Sequence, residues 1–531
     1  FPWEKDYARI RPEYFDAADR KLRHLVDQGL SPCIVGMWGY FLPWMGVEKA
    51  EKHWRHLIAR YGAWPVTWCV AGEANLPWYL AKGFPYDDRE VVHGWTKVIR
   101  YVRATDPFRR PLTIHPTAID QYTARHATDD PSLLDFDMLQ TPHGERDAAF
   151  VTVKAVRDSY EAKPTMPVLD GEASYEALMG RIPAEWVRAM FWIGMTGGAA
   201  GHTYGANGIW QVNRKGDPHG ASPHGGNYGT IAWDEAINLP GSSQVAAGKR
   251  FLEGYEWHRF APHPEWVAWD DAGLGKGLEE LGHWVWFPEG DATKDAPVAP
   301  RYFRRAFPIA ARPIRRARLR VGADDRFTAW VNARKVGEGT GWDDAREIDV
   351  TMELVDDRGV LRPGKVVLAI RAENMKAPVT LNPAGLIAGF EVEYHDGESA
   401  ALGTDGRWRS SRDEAPGWLG ADFDDSSWPA VADLGPNGIA PWGRPRPRPA
   451  FPPLAFGLTD GPRVIYALDP KPIFIRGLDP GRTYRVVEFD PATGMSRPAG
   501  KLDVDAGGTA RRERPAGGHD WVVVVTPEIK P

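Results

Sequence analysis

The chain has 531 residues, too many for one hydrophobic core, so several domains are expected. Hydrophobic and charged fractions of 43% and 26% are those of an ordinary globular protein, and a net charge of −6 gives no basic footprint, which argues against nucleic acid as a partner. No run of 18 apolar residues is present, so no membrane span is expected.

Residues 1–265 alternate short apolar runs with helical patterns. Ala18, Leu22, Leu25 and Val26 share one face of a helix that Gly29 stops. A strand starting at Cys33 follows, then a helix carrying Trp54, Leu57, Ile58 and Tyr61. The next strand, Val66 to Val70, runs into Ala71-Gly72-Glu73. A helix with Val91, Trp95, Val98, Ile99 and Val102 comes after it. Further strands end near His115, Gln140, Glu172 and Tyr204, with helices near 147–160 and 183–195 between the last three. Strands alternating with helices at this spacing imply parallel βαβ units and a (β/α)8 TIM barrel. Cys33 and Cys69 both lie in apolar strands and read as buried free thiols, which leaves the compartment open.

From about 279 to 442 the pattern becomes short alternating runs, among them Tyr302 to Phe307, Arg318 to Val321, Thr328 to Val331, Val366 to Arg371 and Leu386 to Tyr394, with turns such as Pro363-Gly364. That is a β-sandwich signature. A proline-rich linker, Gly443 to Pro449, reads as stiff and extended. Residues 451–531 repeat the all-β pattern with Val464 to Ala467, Ile473 to Ile475, Tyr484 to Phe489 and Trp521 to Val525, a second and smaller sandwich.

Two strands of the first segment end in Gly-Glu. Catalytic groups of a barrel gather where strands meet their following loops. Cleavage of a glycosidic bond needs one carboxylic acid to protonate the leaving oxygen and a second carboxylate at the anomeric carbon. Glu73 is assigned as acid/base and Glu172 as nucleophile. Two salt-bridged surface glutamates are the bland alternative. Supporting groups stand at other strand ends: His115, Gln140, His143, His202 and Tyr204, with Asn75 and Tyr175 just beyond the two carboxylates. Trp38, Trp44 and Trp210 are candidate stacking walls, since flat rings suit sugar faces, and 15 of the 24 tryptophans precede residue 270. Asp170 is read as a supporting group behind Glu172. The spacing of His115, His143 and His202 matches no compact metal motif, so no metal and no cofactor is expected.

At these residues the sequence resembles the apiosidase-like glycoside hydrolases, a (β/α)8-barrel family. The resemblance runs through Glu13-Tyr14-Phe15, Ile58 to Ala63, Ala71-Gly72-Glu73, Pro167 to Glu172, Gly201 to Gly205 and Phe260 to Pro264. It implies a retaining mechanism with Glu73 and Glu172 in the stated roles, and release of terminal apiose from plant pectin as the family's activity. Members often carry Asp where Glu73 stands. The resemblance counts Cys33 to Trp38 as the third barrel strand, so about six strands are present and two are expected to precede Phe1; Phe1 to Arg11 would then be the end of a long loop. Residues 279–442 resemble the galactose-binding-like sandwich found beside rhamnosidase barrels, on His283 to Pro288, Ala323-Asp324-Asp325, Trp330-Val331-Asn332 and Phe423 to Trp428. Residues 459–526 are similar to the collagen-binding-type sandwich that ends the same barrel family, here with a bracing role.

The expected activity is that of a retaining, exo-acting glycoside hydrolase on plant or microbial glycans, with a glycoside as partner. Long rim loops such as Gln211 to Asn227 favour a pocket over a cleft. The rival readings are a non-catalytic carbohydrate-binding protein and a surface adhesin. A secreted or periplasmic location is the expectation, although no signal peptide is visible.

Overall fold

The protein is described by a computed structural model covering residues 1–528 apart from 77–87, 118–121, 221–227, 271–281, 311, 355–364, 377–380, 448–450, 470 and 516–518. The turn expected at Pro363-Gly364 and the last part of the rim loop lie outside the described residues.

Six short parallel strands organise the first half: β1 (Cys33–Val35), β2 (Thr67–Cys69), β3 (Leu112–Thr113), β4 (Asp137–Gln140), β5 (Val168–Glu172) and β6 (Gly201–His202). They pair in order as two three-stranded arcs, β1-β2-β3 and β4-β5-β6. The arcs meet where the Asp135 amide donates to the Leu112 carbonyl at 2.9 Å. The helices are α1 (Pro12–Asp27), α2 (Phe41–Met45), α3 (Val47–Tyr61), α4 (Asp88–Thr105), α5 (Arg146–Glu161), α6 (Ala184–Gly197), α7 (Trp233–Ala236) and α8 (Pro240–Glu253). α3 shows why these segments are helical. Ala50, Trp54, Leu57, Ile58 and Tyr61 recur at helical spacing and are buried against the strands, while Glu48 and Arg60 complement the two ends of its dipole. Cys69 is buried but Cys33 is exposed, contrary to the expectation for both. Among the described residues β1 pairs along one edge only, with β2, and its apolar run leaves Cys33 exposed.

The middle segment folds as two sheets of five and seven strands, antiparallel except at one edge pair. Pro300–Pro308 pairs with Lys365–Glu373 in one, and Ile314–Asp324 with Gly385–Tyr394 in the other. Phe303, Leu319, Leu368 and Phe390 come from both sheets and share one core. Part of the proline-rich linker is a strand: Arg446–Pro447 pairs with Asp344 and Ala345 at the edge of the seven-stranded sheet.

The C-terminal segment forms a six-stranded and a three-stranded sheet. Each takes its edge strand from the end of the first half: β7 (Ala261–Pro262) pairs with Leu454–Gly457, and β8 (Val267–Trp269) with Ile473–Ile475. A boundary at 265 therefore cuts a segment that the last sandwich uses. Hydrophobic pattern alone does not tell which sheet a two-residue strand will join.

α6 explains how the first half and the last sandwich are held together. It is buried from Trp186 through Gly197, because one side covers the strands and the other packs on the sandwich. Trp192 stacks on Tyr466 with ring centroids 6.0 Å apart. Two buried ion pairs cross the same contact. Arg146 donates to both carboxylate oxygens of Asp469 at 2.8 and 2.6 Å, and Arg188 donates to Asp520 at 3.0 Å. Asp520 is fully buried and also accepts from the Tyr466 hydroxyl at 3.2 Å. Removing one partner of such a pair leaves an uncompensated charge. Asp520→Ala is expected to destabilise the chain by about 3–5 kcal/mol, read as a lower urea midpoint.

Candidate active site

Glu73 and Glu172 stand at the same ends of their strands, and local geometry aims each one. Beyond β2 the chain pairs briefly with Trp38 across Gly72. A side chain at 72 would collide with the Trp38 ring, with a Cβ 2.5 Å from Cζ3, so only glycine lets the indole lie there. The Trp38 Nε1 then donates to Glu73 Oε2 at 3.1 Å. Glu73 itself has φ 44, a left-handed conformation that strains a non-glycine residue by about 1–3 kcal/mol and is typical of functional positions. The strain is held by flanking bonds: the His115 amide donates to the Ala71 carbonyl, and the Ala74 amide to the His115 carbonyl, both at 2.9 Å.

Glu172 is aimed by a bulge. β4 and β5 run in register from Asp137–Val168 to Leu139–Asp170, and then Gln140 pairs with Glu172, skipping Gly171. Leu139 and Val168 pack with Val156 of α5, and Asp137 accepts from Ser159 on the same helix. Asp170, opposite Leu139, therefore faces the helix layer. Strict alternation would send Glu172 there too, and the extra residue turns it the other way. A Cβ at Gly171 would lie 2.7 Å from Met138 Cγ, so any larger residue at the bulge would have to displace that side chain.

Glu172 lies among donors. His143 Nε2 is 3.1 Å from Oε1 and His115 Nε2 is 3.2 Å from Oε2, while His143 Nδ1 is 2.8 Å from the Ala173 carbonyl. The Tyr175 hydroxyl lies near it: burial raises the Tyr175 pKa and the Glu172 charge adds to the rise. Burial alone would raise this carboxyl, but the hydrogen bonds and charges of His115 and His143 overturn that and hold it well below the usual range. Glu73 moves the other way. Burial raises it, Glu172's charge adds to the rise, and the Gln140 and Trp38 bonds only partly oppose them. Gln140 links the two: its backbone pairs with Glu172, and its Nε2 donates to Glu73 Oε1 at 3.2 Å. His115 is likewise felt by both carboxylates. One carboxyl shifted toward its protonated form and one held toward its ionised form in a shared site is the arrangement of paired-carboxylate chemistry.

The structure thus gathers Trp38 and Gln140 on Glu73, and His115, His143 and Tyr175 on Glu172. Trp38 presents its indole N–H to the acid. Trp210 is 47% exposed and stands beside Tyr175 with centroids 6.5 Å apart, a rim position. Trp44 packs on Tyr40 and Phe41.

Three further candidates have partners elsewhere among the described residues. His202 faces away: it pairs with Asp170, its ring meets Phe191 of α6 edge-on at 5.8 Å, and burial pulls its pKa down to about 4. The Tyr204 hydroxyl donates to Glu176 at 2.6 Å, and Glu176 also accepts from the Gly241 amide at the start of α8, so this pair braces a helix end. Asn75 turns its carbonyl to the Thr117 amide at 3.2 Å. The sequence reading missed Tyr40, which lies close enough to Glu73 for that charge to contribute to the rise of its hydroxyl pKa. Its signal was the aromatic run Trp38-Gly39-Tyr40-Phe41 straight after a strand. Among the described residues, no group of three or more His, Cys, Asp or Glu is arranged to hold a metal ion.

Residues 2–259 match the family model for the apiosidase-like catalytic domain. The first half of this chain is thus similar to the apiosidase-like catalytic domains. A curated α-L-rhamnosidase from Streptomyces avermitilis is 33% identical over 175 residues, 32% of this chain and 16% of that much longer protein. Two solved structures are similar along nearly the whole chain, both at 15% identity. A glycoside hydrolase aligns over 98% of this chain and 78% of its own with a TM-score of 0.54. A glycoside hydrolase family 5 protein from Bacteroides vulgatus aligns over 97% and 74% with a TM-score of 0.52. At that identity they show the shared fold. No helix among the described residues is long and apolar enough to cross a membrane.

Proposed function

We propose that this chain is a retaining, exo-acting glycoside hydrolase that releases a terminal sugar, apiose or another pentose or deoxyhexose, from plant or microbial glycans. The observation that carries the reading is a pair of strand-end glutamates bridged by Gln140, with Trp38 on Glu73 and His115 and His143 on Glu172, which displaces the two carboxyl pKa values oppositely: Glu73 up, Glu172 down.

The roles follow from those states. Ionised Glu172 attacks the anomeric carbon while protonated Glu73 gives its proton to the departing oxygen. A glycosyl ester on Glu172 forms and the glycosidic bond breaks. Glu73, now a carboxylate, takes a proton from water as that water attacks the same carbon, which frees Glu172 and restores the acid. His115, His143 and Tyr175 fix the nucleophile's orientation and keep it charged. Trp38 and Gln140 hold the acid and stabilise the anion it becomes.

The test is a screen of aryl pentosides and deoxyhexosides with the parent and the Glu172→Gln variant. Turnover by the parent and none by the variant supports the reading; a carbohydrate-binding protein would bind with no turnover in either. The pH dependence follows with its sign. Activity needs Glu172 ionised and Glu73 protonated, so kcat/KM should trace a bell with its acid limb below the ordinary glutamate range and its alkaline limb above it. Trp38→Phe removes a donor that favours the Glu73 carboxylate, so its alkaline limb should move to higher pH.

A further inference from the structure

A cavity of about 410 Å³ lies where all three parts of the chain meet. The first half contributes the loop after β4 and the start of α6, the middle sandwich contributes Arg326 and Phe327, and the last sandwich contributes Lys471. Its volume is in the range of ligand sites, which favour domain junctions.

Three lining side chains, Arg181, Glu185 and Arg326, make no side-chain hydrogen bond or close ion pair among the described residues. Glu185 is the most telling. It is half-buried, and burial raises its pKa although Arg346 and Arg188 pull it down. A partly desolvated carboxyl with no donor from the protein is free to accept from a bound molecule. The lining holds five basic and five acidic side chains, with Trp186 and Phe327 as apolar walls. That balance suits neither an anion nor a cation. It suits a neutral molecule whose hydroxyls both donate and accept.

The cavity also lies next to the loop that carries His143. A second cavity of about 370 Å³ runs along Pro142 to Ala148 and shares Glu145, Arg146 and Thr340 with the first. Its lining includes His143, which bonds Glu172. His143 and Glu145 are two positions apart, at most about 7 Å of extended chain.

We propose that the three-way cavity binds the leaving-group side of the substrate: a neutral, hydroxyl-rich sugar unit beyond the bond that is cut, reached from Glu172 past His143. This rests on the hydrolase reading above. It makes the middle sandwich part of the substrate site, through Arg326 and Thr340, rather than a brace alone.

The experiment compares an oligosaccharide with the aryl glycoside of the same terminal sugar, using the full chain. Arg181→Ala and Arg326→Ala should each lower kcat/KM on the oligosaccharide on the order of tenfold, the usual loss of a charged hydrogen bond, and leave the aryl glycoside within about twofold. Arg181 is exposed, so its variant should fold, and a thermal melt checks both. Equal loss on both substrates, or none on either, overturns the proposal. Binding of Glu172→Gln protein to a printed array of plant and microbial oligosaccharides, with and without Arg181→Ala, separates the two claims. Array binding that falls with Arg181→Ala while nothing is hydrolysed supports the cavity and rejects the hydrolase reading. Hydrolysis with array binding indifferent to Arg181 rejects the cavity alone. Neither hydrolysis nor Arg181-dependent binding rejects both.

Discussion

Glu172→Ala should lower kcat on the order of 10⁵-fold, and added azide should restore part of it. The size reflects removal of a nucleophile whose attack defines the first step. His115 and His143 remain but have nothing to orient. Alanine opens space beside the anomeric carbon, where a small anion can attack from the same side as the missing carboxylate. The product is then a glycosyl azide of inverted configuration, seen by NMR. A glutamate that only braced the site would behave otherwise. Its loss would lower stability and activity together, and azide would restore nothing. Because the carboxylate is buried against two histidines, Glu172→Gln is the gentler companion: it keeps size and polarity and should keep substrate binding.

Glu73→Gln should lower kcat/KM by about 10²–10⁴ for sugars leaving as alcohols, the usual contribution of a positioned acid. The dependence on leaving group is the sharper readout. A dinitrophenolate departs without a proton, so kcat/KM on its glycoside should barely change. The second step still lacks its base, so that substrate should give a burst followed by slow turnover. Similar losses on both leaving groups would mean that Glu73 holds the pocket together rather than transferring a proton. Its strained backbone makes that a fair alternative, and the comparison separates the two.

Much of the fold could be read in the sequence, because parallel strands covered on both faces appear as short apolar runs and their helices as 3.6-residue stripes. The runs ending near Gln140 and Glu172 are β4 and β5, and the helical stripe at 183–195 is α6. The two carboxylates stood out for a related reason: glycine before each glutamate marks a place where the backbone passes close to something, Trp38 at Gly72 and Met138 at Gly171.

What was not legible was side-chain direction. His202 sits on a two-residue strand, too short for alternation to show a face, and its partner Asp170 already points toward the helices. Tyr204 looked like a rim hydroxyl, but its partner Glu176 lies 28 positions earlier and is fixed by the start of α8. The β7 and β8 strands carry no mark of the distant sheets they join, since a pairing across about two hundred residues is tertiary information. The cavity between the three parts was invisible for the same reason.

The central claim is that the carboxylate of Glu172 becomes covalently bound to the sugar. The most direct measurement uses the 2-deoxy-2-fluoro dinitrophenyl glycoside of the released sugar, which forms the glycosyl ester readily and loses it slowly. Peptide mass spectrometry of the inactivated protein should find one fluorosugar, on Glu172, in the peptide around Leu169-Asp170-Gly171-Glu172. A label on another residue, or an unlabelled protein that releases product with inverted anomeric configuration, would contradict the account.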